Sequence, residues 1–507
     1  MTAPTYDLGT LHGGLRLAAN KDAATASGLV TMPVPDQIVL PLAQHAGNPA
    51  EPVVGIGEQV LKGQLIAASS GALSAPVHAS TSGCVVAVEP WPTARRHGEP
   101  APCIVIESDG ADRPLHDRRE PVDYRELGEE ALIDLLLEGG IVGLGGAAFP
   151  TAQKLSQASS TPLDMLILNG VECEPWISCD DVLMRERAEA VVGGARILLA
   201  ALAIERCYIA VESDKPAALE RLAEALGTAG DDRLTLKQVP TIYPSGAEDQ
   251  LVQLVTNREV PTGGLPTDIG CVVQNVGTAA AVFDWLHFGE PLISRVTTVT
   301  GPGVKRPMNV LTRLGTTVAD LVEYAGGYTD RARLLVIGGS MTGRSMSTDR
   351  VPVVKATNCV LVLDEPAMQG PALPCIRCGE CATVCPIQLL PQQLHWYTNA
   401  DDETRLREYG LTDCIECGCC DLVCPSHIPL TSTFRFAKSR IRELEDEKAR
   451  AERARRRFEA RRERIDRDER ERATELEEQK RRAKTRGKDA IADIMRRKRD
   501  NAEDQDG

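Results

Sequence analysis

The sequence predicts a multidomain chain of mixed α/β and α+β class with a charged tail. Three observations carry that expectation. Short apolar runs broken by Gly and Pro fill the first hundred residues. Apolar strands alternate with helical patterns through the middle, and two four-cysteine runs stand at 375–385 and 414–424. At 507 residues there is room for several domains of ordinary size. A net charge of -15 disfavours a general nucleic-acid surface, so no nucleic-acid partner is expected.

Residues 1–120 form an N-terminal region. Between about 36 and 90, Ile38-Val-Leu-Pro41, Val53-Val-Gly-Ile-Gly57 and Gly83-Cys-Val-Val-Ala-Val88 read as short strands. Val60-Leu-Lys-Gly63, followed by Ser74-Ala-Pro-Val-His78, resembles the barrel-sandwich fold of lipoyl and biotinyl carriers. The hairpin tip, Ala67 to Leu73, lacks the lysine that would carry a cofactor, so the domain reads as structural, with His78 a hydrogen-bonded residue within it. No basic start leads into an apolar core, so no signal peptide is expected, and no apolar run reaches 18 residues.

Residues 121–290 read as a Rossmann-like α/β domain. A helix is expected over 121–137. It leads to Gly139-Gly140-Ile-Val-Gly143-Leu-Gly145-Gly146-Ala-Ala-Phe149-Pro150-Thr151, with Lys154 one helical turn on. Closely spaced glycines let backbone N–H groups approach a phosphate, and a following helix N-terminus favours its charge. The spacing is not the dinucleotide fingerprint, and a glycine-rich turn alone is often only a turn. The strand Met165–Leu168 ends in Asn169-Gly170-Val171-Glu172-Cys173-Glu174, where polar residues cluster at the usual ligand edge of such folds. Helices at about 181–204 and 215–227 flank the strand Cys207–Val211. Tyr243-Pro-Ser-Gly246-Ala-Glu248 opens a short helix, and the strand Cys271–Val273 ends in Gln274-Asn275.

Residues 291–350, with strands near Val296–Thr300 and Arg333–Ile337 around a helix near 317–325, suggest a β-grasp module. At 365–435 comes the cysteine-rich domain. Cys375, Cys378, Cys381 and Cys385, and again Cys414, Cys417, Cys420 and Cys424, each follow C-x2-C-x2-C-x3-C-P. This is the spacing of α-helical two-cluster ferredoxins, in which the last cysteine of each run serves the other cluster. On that pattern one [4Fe–4S] cluster takes Cys375, Cys378, Cys381 and Cys424, and the other takes Cys414, Cys417, Cys420 and Cys385. Cys419 has no slot. Zinc knuckles would not explain two runs each closed by Cys-Pro, and nothing points to an oxidising compartment for disulfides. Residues 437–507 are almost all Arg, Lys, Glu, Asp and Ala; long stretches lack an apolar stripe, so no coiled-coil seam is expected, only a solvated helix or a disordered tail.

The motifs Gly143-x-Gly145-Gly146-Ala147-x-Phe149-Pro150-Thr151 with Lys154, Asn169-Gly170-x-Glu172-x-Glu174, Tyr243-x-x-Gly246-x-Glu248 and Asn275-Val276 resemble the FMN-binding subunit of respiratory complex I. The resemblance implies that the glycines and Lys154 cradle the FMN phosphate and ribityl side. It implies that Asn169, Tyr243 and Asn275 contact the flavin, with Gly246 in the same motif. Phe149, Glu172 and Glu248 would line the nicotinamide nucleotide site. The sequence departs from that family at Val171 and Ala247. The whole combination of modules is similar to the RnfC family, the peripheral subunit of the Rnf ion-translocating ferredoxin:NAD oxidoreductase, over nearly all of residues 10–435. It departs at Gly13-Gly14-Leu15-Arg16-Leu17-Ala18, far in sequence from the redox motifs.

Such a subunit would exchange a hydride with NAD(H) through FMN and pass single electrons through two [4Fe–4S] clusters, with no catalytic side-chain acid or base. Its partners would be membrane subunits of the RnfB, RnfD and RnfG type, with ferredoxin acting indirectly, on the cytoplasmic side of the inner membrane. Two other readings fit the same modules: a corrinoid-reducing flavin–iron–sulfur enzyme, and a scaffold with vestigial cofactor sites.

Overall fold

The computed structural model describes residues 8–94, 98–115, 120–158, 161–365 and 370–503. Residues up to Arg435 form one compact unit, and those from Phe436 form a second.

The N-terminal sandwich has a four-stranded sheet in the order Gln37–Pro41, Pro100–Ser108, Gly83–Pro92, Gln59–Val60. A three-stranded sheet of Glu51–Pro52, Leu65–Ala68 and Val77–His78 completes it. Ile38, Leu40, Ile66, Val85, Ile104 and Ile106 are buried together in its core. The strand Pro100–Ser108, beyond the expected boundary near 90, pairs with both Gln37–Pro41 and Gly83–Pro92.

The middle domain is a fully parallel sheet in the order Leu234–Val239, Cys207–Glu212, Met165–Gly170, Cys271–Asn275. From Met165–Gly170 the chain winds outward one way, then returns to add Cys271–Asn275 on the other side. The winding therefore reverses between those two strands, where open α/β sheets leave a crevice for ligands. The helix expected over 181–204 is two helices, Cys179–Glu186 and Ala188–Leu202, broken at Arg187. The Arg187 guanidinium donates to both carboxylate oxygens of Asp284, at 2.9 and 2.6 Å.

The next module is a six-stranded mixed sheet: Leu29–Thr31, Met308–Arg313, Ser294–Thr300, Cys359–Leu363, Leu334–Ile337, Arg344–Met346. The helix Val318–Tyr324 lies within the same stretch of chain. The sheet reaches outside the expected 291–350 at both ends. Leu29–Thr31 adds a parallel edge to Met308–Arg313, and Cys359–Leu363 adds a parallel neighbour to Ser294–Thr300.

The cysteine-rich domain is a structural repeat with an offset of thirty-nine residues. Short helices Glu380–Thr383 and Cys419–Leu422 occupy equivalent places, and the helices that follow begin at Pro391 and Leu430. The second of these runs from Leu430 to Glu503 without a break. No described helix is long and apolar enough to cross a membrane.

Candidate cofactor sites

Each cysteine run winds through the same backbone states. Arg377 and Glu416 have φ of 60° and 58°, and Gly379 and Gly418 have φ of 88° and 79°. These left-handed turns are what allow a short loop to bring three thiols to one side. One small cavity is lined by Cys375, Cys378, Cys381 and Cys424; a second is lined by Cys385, Cys414, Cys417, Cys419 and Cys420. Four thiols around one small cavity are the donor set that a cubane cluster requires, and the second cavity has Cys419 in addition.

The two cavities have different neighbours. The Tyr243 hydroxyl donates to the Cys417 carbonyl at 2.5 Å. The Tyr243 ring packs with Val384 and Cys419 in a small apolar cluster that also touches Leu15, Cys173 and Met341. Leu15 pairs with Tyr243 through the backbone, and the Gly14 amide donates to the Val384 carbonyl at 2.9 Å. The Gly13–Ala18 segment, remote in sequence from the redox motifs, thus lies directly against them. Cys419 is fully buried in this cluster, so it serves as a small apolar side chain. A hydrogen bond with the Cys417 thiol, and then burial, push its own thiol far up.

The glycine loop follows the helix Glu129–Glu138 and leads into the helix Thr151–Ala158. Its ends close through the Gly143 amide to the Phe149 carbonyl at 2.8 Å and the Thr151 amide to the Ile141 carbonyl at 3.0 Å. The Leu144 amide donates to Thr278 Oγ1 at 2.9 Å. Lys355 Nζ, fully buried, donates to the Gly140 carbonyl at 2.6 Å and the Pro76 carbonyl at 2.9 Å. Arg295, which also bonds the Lys355 carbonyl, reaches the Leu144 carbonyl at 3.4 Å. Gly145, Gly146 and Ala147 stay exposed, and among the described residues their N–H groups have no internal acceptor. A Cβ on Gly146 would meet no heavy atom within 4 Å. That open row of donors before a helix suits an anionic phosphate.

Around the crevice, Asn169 and Asn275 lie opposite each other in register at the ends of adjacent strands. Asn169 Nδ2 donates to the Gly246 carbonyl at 2.9 Å, and Asn275 Nδ2 donates to Asp180 Oδ2 at 2.7 Å. Lys154 Nζ donates to Glu248 Oε1 and to the Val273 carbonyl, both at 2.7 Å. Phe149 is half-buried beside the loop. A Cβ on Gly246 would stand 2.5 Å from the Val171 carbonyl, so close packing is what requires glycine there.

Two expected contacts have other commitments. Glu172 is buried, and its carboxylate accepts from the Asp180 amide at 2.8 Å and the Asp181 amide at 3.4 Å, at the N-terminus of Cys179–Glu186. The Lys21 ammonium donates to its carbonyl. Burial pushes the Glu172 carboxyl up to about 7 in spite of the nearby Lys21 charge. Direct contact with a nucleotide ribose is not the role this geometry offers. Tyr243, expected at the flavin, has its hydroxyl bound at the Cys417 loop. Asp180 gave no sequence signal, and the sequence named Glu174 without its partners. Asp180 holds Asn275. Glu174 ties the turn at Met341 and Thr342 by accepting from both amides, at 2.9 and 2.8 Å. A separate cavity of about 1450 Å³, lined in part by Lys62, His78, Trp285 and Arg313, includes none of the expected site residues. His78 is buried there with Nδ1 unpartnered, and burial holds it neutral, with its pKa lowered to about 3.

Four family models match in chain order: the RnfC barrel sandwich hybrid domain at residues 9–111, the Nuo51 FMN-binding domain at 136–284, the SLBB domain at 296–345 and the 4Fe-4S dicluster domain at 374–428. The chain therefore carries an FMN domain and a [4Fe–4S] dicluster domain. A Rhodobacter capsulatus protein, described as the C-type subunit of an ion-translocating oxidoreductase complex, is 42% identical over 87% of this chain and 84% of its own length. The proteins of the same description from Pseudomonas aeruginosa and Erwinia tasmaniensis are 48% and 42% identical, over 91% and 95% of this chain. The chain spans only 60% and 59% of their respective lengths. Among solved structures, an air-oxidized NAD+-reducing [NiFe]-hydrogenase matches at 20% identity and TM-score 0.40, over 54% of this chain and 49% of that one. With the four domains in order and the Rhodobacter relative covered over most of its length, the chain belongs to the RnfC family, the C-type subunits of ion-translocating oxidoreductase complexes.

Proposed function

We propose that this chain is the nicotinamide-linked electron-entry subunit of an ion-translocating oxidoreductase, exchanging a hydride with NAD(H) and passing single electrons to or from membrane partners. Bound FMN supplies the conversion between a two-electron hydride and single electrons, and the two [4Fe–4S] clusters relay those electrons. The chain's own residues hold and orient. The N–H groups of Gly145, Gly146 and Ala147, with Lys154 behind them, receive phosphate, and Gly143 keeps the loop entrance narrow. Asn169 and Asn275 present amides at the strand ends, where the flavin edge belongs. Phe149 and Glu248 line the nucleotide side. Glu172 acts at one remove, by fixing the helix whose Asp180 holds Asn275. No side chain is assigned as acid or base.

Cys375, Cys378, Cys381 and Cys424 hold the outer cluster; Cys414, Cys417, Cys420 and Cys385 hold the inner one. The observation that carries the order is the 2.5 Å bond from Tyr243 to the Cys417 carbonyl. The turn that begins at Tyr243 ends at Gly246, whose carbonyl accepts from Asn169. One short stretch of backbone therefore joins the flavin crevice to the inner cysteine set. Electrons pass between crevice and inner set, then outer set, then partners of the RnfB, RnfD or RnfG type, on the cytoplasmic side of the membrane.

The test is anaerobic reconstitution of the chain, followed by assays of iron, sulfide and flavin and by NADH titration with flavin absorbance and cluster EPR. About eight irons and one FMN per chain, all reducible by NADH, is the expected result. Eight irons with neither flavin nor an NADH response would overturn the electron-entry role.

A further inference from the structure

We propose that residues 480–498 are a basic amphipathic segment that docks the chain on an anionic lipid surface. Long stretches of this tail are expected to lack an apolar stripe, yet a single apolar line runs along it when the helix is taken as straight. Phe458, Ile465, Leu476, Ala483 and Ile494 follow one another at spacings of seven, eleven, seven and eleven residues. Eighteen residues are five turns at about 3.6 residues per turn, so these side chains fall on one line along the helix. Phe458, Ile465 and Leu476 are 66%, 43% and 52% exposed, so the line lies open along its length.

The line broadens at its far end. At about 100° per residue, Ile491, Ile494 and Met495 join Ala483, Gly487 and Ala490 within a face of roughly 140°. Ile491, Ile494 and Met495 are 60%, 57% and 67% exposed. The same stretch carries nine Lys and Arg against two acids, for a net charge of +7, in a chain whose net charge is -15. The two acids, Asp489 and Asp493, fall opposite the apolar face. Lys480, Lys484, Lys488 and Lys498 border that face or lie within it. An apolar face from which long lysines extend, with the acids turned away, is an arrangement that lies in a headgroup layer, the lysine stems covering apolar surface while their charges reach the headgroups. Two copies packed in parallel on this face would bring +7 against +7, which disfavours a second chain as occupant. Nucleic acid would use the charge but leave the isoleucines uncovered.

The full chain is mixed with vesicles of phosphatidylcholine alone, or with about one-third phosphatidylglycerol, and cosedimented at low and high salt. Binding to the anionic vesicles at least tenfold above the neutral ones, weakened by salt, is expected. Ile491→Glu with Ile494→Glu should lower it at least tenfold, and Lys484→Glu with Lys488→Glu should do likewise. Far-UV circular dichroism and the cluster spectrum should stay unchanged in both variants. Three results would each overturn the proposal: equal binding to both vesicle types or none, loss of binding in the charge variant alone with duplex DNA competing fully, or a self-association that the isoleucine variant abolishes. None of these readouts depends on NADH or flavin, so failure here is separate from failure of the redox reading.

Discussion

Residues 375–396 and 414–435 trace the same path, yet Cys378 is exposed while Cys417 is half-buried under Tyr243. Ile376 is 68% exposed, whereas its counterpart Ile415 is partly covered. Glu380 faces solvent where the second run has the buried Cys419. Even the flanking pairs correspond. The Arg377 guanidinium lies 4.7 Å from the centre of the Trp396 ring, and at the same two places of the repeat Glu416 and Arg435 form an ion pair at 2.9 Å. The backbone has been duplicated and the surroundings have not. A repeat that holds two like centres becomes directional only when one half is covered by the flavin domain and the other is left for a partner.

The largest test of that asymmetry removes one thiolate from each half. Cys420→Ser should lower iron from about eight to about four per chain and abolish NADH reduction of the surviving outer cluster. Cys381→Ser should lower iron equally but leave the inner cluster reducible by NADH. Iron assay with EPR decides it, and equal EPR outcomes from the two variants would break the proposed order.

A pH series probes the buried Glu172 carboxyl. The Glu172 carboxyl sits at about 7 in the folded chain against 4.5 as its ordinary value, because burial disfavours its charge. Between those values the folded chain keeps a proton that the unfolded chain has released. This group's contribution is therefore fully present below about pH 4.5 and is lost as pH rises to about 7, by about 3 kcal/mol in order of magnitude. The melting temperature of the wild-type chain should fall between pH 5 and 7.5 at constant ionic strength, and Glu172→Gln should flatten that slope.

Next in size is Tyr243→Phe. It leaves the Cys417 carbonyl without its donor, at a cost of about 1–3 kcal/mol. The midpoint potential of the inner cluster should move while that of the outer one stays. Unchanged potentials for both, in a redox EPR titration, would reduce Tyr243 to a packing residue. A pair of glycines makes the same comparison sterically. At Gly13, with φ of 55°, a Cβ would stand 2.7 Å from the Val384 and Cys385 carbonyls. At Gly379, with φ of 88°, it would meet nothing within 4 Å. Gly379→Ala should cost about 1 kcal/mol for the left-handed backbone alone. Gly13→Ala should cost distinctly more, read as loss of melting temperature.

How much of this was legible depended on the range of each interaction. The cysteine spacings are local, and each predicted set of four lines one cavity, with Cys419 added to the second. The polar ends of Met165–Gly170 and Cys271–Asn275 were also visible, because a strand's end is marked where its apolar run stops. The parallel edge strand Leu29–Thr31 was not, since its partner Met308–Arg313 lies far along the chain and three residues carry no period. Tyr243 was assigned to the flavin by its motif neighbours, whereas its hydroxyl partner is a backbone carbonyl 174 residues away. Backbone acceptors leave no trace in side-chain identity. The break at Arg187 was hidden for a related reason: the partner of its side chain is Asp284, on another helix.

The smallest effect belongs to the two flanking pairs, which occupy one geometry with different chemistry. Glu416 and Arg435 are 29% and 41% exposed, so water and salt screen their attraction, and Glu416→Gln should cost about 0.5 kcal/mol or less. That cost should vanish in high salt. Trp396→Ala removes a large ring from under Arg377 as well as a cation–π contact worth about 0.5–1 kcal/mol. Most of its cost is burial, so it should persist in salt. Melting both variants at low and high ionic strength separates the cases. A salt-insensitive loss at Glu416 would mean that the pair braces the inner loop sterically, so that the covered half of the repeat is held from both sides.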